Sequence, residues 1–471
     1  MDAPFPFAKS SSYPVRSTAS LEYLIDGRET FTAIAGAIEK ATRSVYITVA
    51  YASLNFRMLP PAEEQFLDLL RRTAARGVQV AVLFWLPSTN VSDTIPPSQA
   101  GLLKEAKVLA RWDKAKATGI YESFPIGCHH QKTFVVDGSV AFVGGLNMTQ
   151  PHWDEPTHLP DDERRITYDV VDPAKRATLA ASPNALPLHD TFVGIEGPAV
   201  QDVQANFLQR WNGATERGAA PDLPMSPPPS ADGGSIPIQI VRTIPEESYS
   251  GTPKGERSVK EAMLNIIDGA RQAIYFENQY FFDDDVTAAI RRAAERGVRV
   301  VGLLTRRPDA GQPLGVIEKF LEDKEASTFQ WAFFNEALQR HIQLYTPFTD
   351  HAPVKDIYIH SKTMIVDDRY VLLGSANISF TSLDFHSEMC ALADDPRGAQ
   401  ALRRRLWCEH LCCTDASLPV SFAEGADRWQ NDGRRNQQDI DLGHPPRSRV
   451  APLRPPSIAD IPVLRAASGF A

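Results

Sequence analysis

Two stretches of this chain are copies of one another: "HHQKTFVVDGSVAFVGGLNMT" from His129 and "IHSKTMIVDDRYVLLGSANIS" from Ile359. His130, Lys132, Asp137, Gly144 and Asn147 match His360, Lys362, Asp367, Gly374 and Asn377 at one constant offset and without a gap. An internal repeat constrains the fold more than any local propensity, because it demands the same supersecondary unit twice. The likeness continues outward. "LRRTAARGVQVAVLFW" parallels "IRRAAERGVRVVGLLT", each an amphipathic helix that ends at a glycine and leads into an apolar strand. Upstream, "AIAGAIEKATRSVYITVAY" and "AMLNIIDGARQAIYFENQY" give a further helix and strand; downstream, "HDTFVGIEGPAVQDVQANFLQRW" and "HSEMCALADDPRGAQALRRRLW" give a strand and a helix.

Each copy is thus an alternating strand and helix series. This predicts an α/β fold of two pseudo-twofold-related α/β/α sandwich repeats with mixed, largely buried sheets, packed as one bilobal catalytic unit. The expected boundaries are an N-terminal extension over 1–22, a first half over 23–213, a Pro/Gly/Ser-rich linker over 214–236, a second half over 237–432 and a Pro-rich tail over 433–471. The tail is expected to wrap the surface or be partly disordered, with its arginines solvating it.

The formal net charge of -9 offers no general attraction to nucleic acid or to an anionic membrane, so any phosphate chemistry must be local. No stretch has the roughly 18 to 20 uninterrupted apolar residues of a transmembrane helix. The first residues lack a charged segment followed by an apolar one, which predicts a soluble chain without a Sec-type signal, cytoplasmic or exported by another route. Five cysteines, an odd number crowded toward the C-terminus, fit a reducing compartment and buried thiols better than a disulfide framework.

Side chains alternate along a strand, so His130 and Lys132 share one face while Gln131 and Thr133 take the other, and the same holds for His360 and Lys362. Asp137 has the opposite parity, about 16 Å further along at about 3.3 Å per residue. It and Asp367 sit where turn residues belong, as anchors of a hairpin. The returning strand carries Gly144 and Asn147, and Gly374 and Asn377, back toward the histidines. Two imidazoles, two ammoniums and two amides on one spot suit a phosphoryl group: cations and fixed donors hold its oxygens, one histidine attacks and the other protonates the leaving group. No cofactor or metal is required by that chemistry.

These residues resemble the signature of the phospholipase D superfamily, a duplicated His-x-Lys-x4-Asp followed by Gly-Gly/Ser-x-x-Asn. "HWDEPTH", "DTFVGIEGPAVQDVQANFLQRW" and "ERSVKEAMLNIIDGARQAIYFENQYF" extend the resemblance to the eukaryotic-type catalytic core, from about Tyr23 to Gln437. It implies that His130 is the nucleophile, His360 the acid, and Lys132, Lys362, Asn147 and Asn377 the phosphate ligands, with Gly144, Gly145, Gly374 and Ser375 in support. The near symmetry of the halves leaves the order of the histidines open in the sequence itself. Each imidazole needs an orienting partner. Asp190 and Glu388, at matching places in the repeat, are the candidates, with that of His130 expected in "LHDTF". Ser379 and Ser382 are available as supporting hydroxyls, and Glu277, Asn278 and Gln279 as support for the site or a head-group pocket. His129, on the opposite face, is expected to tolerate replacement far better than His130. The aromatic sequences after Trp85 and Thr305 read either as a rim for acyl chains or as core. The implied activity is a phospholipase D acting on phosphatidylcholine- or phosphatidylethanolamine-type lipid as a monomer on a bilayer surface, with no nucleic acid partner; nuclease and cardiolipin-synthase-like activities are the alternatives.

Overall fold

The computed structural model describes residues 6–62, 64–87, 93–114, 127–166, 172–180, 186–224, 233–306, 338 and 340–453. The repeat is realised as two sets of strands. The first comprises β1 (Arg16–Ile25), β2 (Ser44–Val49), β3 (Gln79–Trp85), β4 (Leu109–Asp113), β5 (Thr133–Val136), β6 (Val140–Gly144), β7 (Leu188–His189) and β8 (Thr191–Glu196). The second comprises β9 (Ile236–Ile244), β10 (Glu256–Arg257), β11 (Ala273–Asn278), β12 (Arg299–Leu304), β13 (Ile342–Pro347), β14 (Tyr358–Ile359), β15 (Thr363–Val366), β16 (Tyr370–Gly374), β17 (Glu388–Asp394) and β18 (Val450–Pro452).

Strand order is β4-β3-β2-β5-β6-β8-β1 in the first half and β13-β12-β11-β15-β16-β17-β9 in the second, the same arrangement twice. Each is mixed: β2, β3 and β4 are parallel, whereas β5, β6 and β8 run antiparallel. The two sheets meet edge to edge through the antiparallel pair β1 and β9, giving one continuous sheet. β2 is buried along its whole length, as expected of an apolar run covered on both faces. Helix α1 (Asp26–Lys40) contributes Phe31, Ile34, Ala35 and Ile38, one apolar stripe at helical spacing. Full burial of such side chains stabilises the fold by about 1.5–3 kcal/mol each. Helix α2 (Phe66–Ala75) begins with a capping box of Gln65 and Asp68, and Gly77 follows it at φ 87. Its counterpart, Asp284–Glu295, is capped by the Asp283 side chain and followed by Gly297 at φ 91. One hydrophobic core mixes both halves, packing Val143, Phe207 and Trp211 in the same cluster as Leu373, Trp407 and Trp429.

The expectations for the two ends of the chain and for the cysteines need correction. The first 22 residues are not outside the fold: β1 starts at Arg16, and Phe7 and Ala8 are buried in the core of the second half. Position 433 is not the start of a tail, because helix Phe422–Asp441 passes through it and Gly433 fits against Tyr345 and Pro452. β18 then pairs with β13, and Arg449 is a buried staple on Asp350 at 2.9 Å rather than a solvating charge. Of the aromatic stretch before Phe348, Ile342–Pro347 is the buried strand β13. The stretches 88–92 and 307–337, and 225–232 of the linker, lie outside the described residues. Finally, Cys128 and Cys390 are buried, but Cys412 is exposed.

Candidate active site

The two motif hairpins turn at Asp137-Gly138 (φ 55 and 64) and Asp367-Asp368 (φ 54 and 48), both positions left-handed as a tight hairpin turn of this class requires. The Asp137 carboxylate accepts from the backbone N–H groups of Thr42 (2.8 Å), Arg43 (2.7 Å) and Ser44 (2.9 Å), and Asp367 accepts from those of Arg271, Gln272 and Ala273. Each aspartate therefore pins its hairpin to the start of β2 or β11, at the end away from the histidine. Asp137→Ala is expected to lower unfolding free energy by about 1–3 kcal/mol, the cost of orphaned donors. Urea unfolding measures that loss, and steady-state turnover of the folded variant is expected to match the parent.

The His-x-Lys segments lie just before β5 and β15, and each pairs with the other half. His130 N–H donates to Ser387 O at 2.9 Å, and His360 N–H donates to His189 O at 2.8 Å beside the parallel pair β7–β14. This exchange brings the rings of His130 and His360 to 6.4 Å between centroids. Lys132 Nζ turns back onto His130 O at 2.7 Å, and Lys362 Nζ onto His360 O. Both ammoniums are buried, and among the described residues neither is paired with a carboxylate. Alternation holds: Gln131 points away and accepts from Asn206 and Arg210, while Ser361 points away to Thr191.

The two expected carboxylates, Glu388 and Asp190, lie against the imidazoles, but crossed between halves. His130 Nδ1 lies 3.0 Å from Glu388 Oε1, and His360 Nδ1 lies 2.7 Å from Asp190 Oδ2. The expectation that "LHDTF" orients His130 is overturned. The reason is the strand exchange, which carries each histidine onto the segment that leads to the partner half's carboxylate.

The two pairs differ electrostatically. Burial disfavours the Glu388 anion, yet His130 and His386 hold its carboxyl well below the ordinary range, and Ser375 Oγ donates to it at 2.5 Å. Burial, reinforced by Lys132 and only partly opposed by Glu388, pushes His130 down to about 4, leaving a neutral imidazole on a carboxylate. Among the described residues no such hydroxyl meets Asp190. The place of Ser375 in the repeat is taken by Gly145, where a Cβ would come within 2.4 Å of Asp190 Oδ1. Burial pushes Asp190 up to about 7 despite Lys362, while burial and Lys362 hold His360 well below its ordinary value. The Asp190–His360 pair therefore keeps a proton that the other pair lacks. Burial also lowers Lys132 to about 8 and Lys362 to about 7.

The family model described as "Phospholipase D" matches residues 37–289, more than half of the chain. The chain belongs to the phospholipase D superfamily. A second model, "Cardiolipin synthase, PLD-like domain", matches residues 263–408. Phospholipase D A of Dictyostelium discoideum is 27% identical, matching 85% of this chain but only 36% of its own length. Cardiolipin synthase A of Pseudomonas putida (strain GB-1) is 28% identical over 84% of the chain and 70% of its own, and Phospholipase D alpha 2 of Oryza sativa subsp. japonica 27% identical over 78% and 61%. Phosphatidylserine synthase of Haemophilus influenzae Rd KW20 shares the fold, with a TM-score of 0.56 at 14% identity over 84% of this chain and 87% of that one.

Within this superfamily site the remaining expected residues take distinct places. Gly144 and Gly374 leave room for Thr191 O and Met389 O, which a Cβ would approach to 2.6 and 2.2 Å. Gln279 bridges Lys362 (3.4 Å) and the Tyr358 hydroxyl (2.6 Å). Asn278 Oδ1 accepts from Ile378 N–H, fixing the residue after Asn377. Ser379 and Ser382 do not support the carboxylate; Ser379 Oγ instead caps its own turn, accepting from Ser382 N–H, and Ser375 does the supporting. His129 is on the opposite face, held between Asp113 (3.2 Å) and Ser387 Oγ (2.8 Å).

Glu277 is not in the site. It accepts from His189 (3.0 Å) and His410 (2.9 Å) in a buried network that ties the halves of this superfamily core together. His189 also reaches Asp26 and Glu409, and His158 reaches Asp154 and Glu409. Asp26, His158, His189 and Glu409 place their ligand atoms within 4.8 Å of one another, a set that could hold a cation. Charge is already matched by protonation, however: burial opposes the His158 imidazolium, but Asp26 and Asp154 outweigh it and raise the group to about 9. Glu409→Ala strands these imidazoles and is expected to cost about 3–5 kcal/mol in urea unfolding. A raised histidine stabilises fully below its unfolded value of about 6.5. The loss is therefore expected to shrink as pH rises through about 9. The network was missed in the sequence because its members are single residues on separated elements; His152 and His386, beside His360 and His130, were missed for the same reason.

Proposed function

We propose that this protein is a phospholipase D that cleaves the head-group phosphodiester of phosphatidylcholine- or phosphatidylethanolamine-type lipid through a phosphohistidine on His130. The observation that carries this reading is the pair of buried lysines, Lys132 and Lys362, which meet no carboxylate among the described residues and belong to the motifs whose two imidazoles approach to 6.4 Å between centroids. Buried charge demands compensation, and a phosphodiester anion supplies it.

The unequal pairs supply the order of events. Neutral His130, its Nδ1–H held by Glu388, attacks phosphorus through Nε2. The bond to the head-group oxygen breaks, and that oxygen takes the Nε2 proton of His360 while the Asp190 proton moves to His360 Nδ1. In the second step His360 removes a proton from water, the hydroxide displaces His130, and phosphatidic acid leaves. An alcohol in place of water gives transphosphatidylation. The same residues need no metal ion or cofactor for either step.

The required forms set the pH dependence. His130 must be neutral, which holds above about 4; the Asp190–His360 pair must keep its proton and Lys362 its charge, which holds below about 7. A plot of kcat/KM against pH is expected to rise through the first value and fall through the second. A plateau extending to pH 9 contradicts the assignment of His360 as acid.

Transfer to a second lipid, as the cardiolipin synthase match over residues 263–408 favours, uses the same covalent intermediate and differs only in the acceptor. Vesicles of each phospholipid class, with and without ethanol and with phosphatidylglycerol, separate the two. Phosphatidic acid and phosphatidylethanol support the proposal, cardiolipin supports transfer, and cleavage of single-stranded DNA with every lipid left intact sinks both.

A further inference from the structure

The two phosphate-site asparagines are held differently. Asn377 is placed through the backbone of its neighbour Ile378, whereas Asn147 is gripped directly by a histidine five residues on, in the turn after β6. His152 is half-buried at the site, with its ring 4.8 Å from that of His360 and perpendicular to it. Asn147 backbone N lies 3.3 Å from His152 Nδ1, and the Asn147 side-chain amide meets His152 Nε2 at 3.1 Å.

These two contacts fix the hydrogens. A backbone N–H only donates, so Nδ1 must be the bare nitrogen of the ring. A neutral imidazole then carries its proton on Nε2, and Nε2 donates. Burial, with Lys132 and Lys362 close by, keeps His152 well below its ordinary value and therefore neutral. The amide atom that faces a donating Nε2 must be the carbonyl oxygen, although oxygen and nitrogen of an amide occupy almost the same space. The NH2 group then takes the other branch, the position where an oxygen would be buried without a hydrogen-bond partner among the described residues.

We propose that His152 is a positioning residue that locks Asn147 with its NH2 turned into the phosphate site and its oxygen turned away. An amide free to rotate would present its oxygen to a phosphate oxygen part of the time and repel it; the histidine removes that state. The proposal rests on the phosphodiester reading of the site but concerns the anion, not the lipid.

The test uses the full chain and orthovanadate, which mimics the pentacoordinate phosphoryl group. In a protein labelled with 15N-histidine, with His152 assigned by its disappearance in His152→Phe, the expected resonance is the tautomer with bare Nδ1 and protonated Nε2. A proton on Nδ1 overturns the proposal, and this measurement needs no variant to bind or turn over anything. For vanadate affinity by calorimetry, His152→Phe is expected to weaken binding about tenfold, less than the roughly 10^2–10^3-fold for outright loss of one preorganised donor, because the amide remains and only its orientation is freed. The same change made in Asn147→Ala is expected to cost less than twofold, because a residue that acts through Asn147 has nothing left to position. An equal tenfold loss in both backgrounds overturns it. If the wild-type chain binds vanadate and yet cleaves no phospholipid, the lipid reading fails while the tautomer and the cycle still decide the role of His152.

Discussion

His130→Ala is expected to abolish turnover, with kcat on phosphatidylcholine vesicles falling by at least ~10^4-fold, because no other group stands in for a lost nucleophile. His360→Asn is expected to fall as far on natural lipid. The two part company when the head group is replaced by p-nitrophenol, which leaves without protonation. First-turnover release of p-nitrophenol is expected to return in the His360 variant and to stay absent in the His130 variant. Stopped-flow absorbance measures it directly. Recovery in His130→Ala would mean that the roles are reversed.

The crossed pairing gives the second large effect. Glu388→Gln and Asp190→Asn each keep the shape of the side chain and remove its charge, and a loss of ~10^2–10^4 in kcat follows from the cost of a wrong or unheld imidazole tautomer. The pattern of rescue identifies which histidine each carboxylate serves. Asp190 holds His360 at 2.7 Å, so Asp190→Asn is expected to regain its p-nitrophenol burst; Glu388 holds His130 at 3.0 Å, so Glu388→Gln is not. Pairing within each half would give the opposite result.

The repeat made most of the fold legible. A matched order of helix and strand on both sides of "HHQKTFVVDG" and "IHSKTMIVDD" already implied two equal sheets, and the parity of His130, Lys132 and Asp137 already separated the chemistry from the hairpin turn. What the sequence could not carry was the exchange of strands between halves. Whether Asp190 meets His130 or His360 depends on which half pairs with the residues around Ser387 and His189, and both choices satisfy the same residue pattern. Proline content misled at the C-terminus, where a helix through Gly433 and the strand β18 follow from contacts with Tyr345 and β13 rather than from local composition. The difference between Gly145 and Ser375 was visible as two letters, but its meaning for the charge of Asp190 and Glu388 needed their distances.

The central claim is that His130 of one half forms the covalent bond while the Asp190–His360 pair, made from both halves, manages the proton. It is tested most directly by mixing His360→Asn with the p-nitrophenyl ester of phosphatidic acid, quenching in denaturing alkali within one turnover and mapping the peptides by mass spectrometry. The expected result is a phosphatidyl adduct on the peptide that carries His130. A burst of p-nitrophenol with no adduct there, or with the adduct elsewhere, would contradict the account.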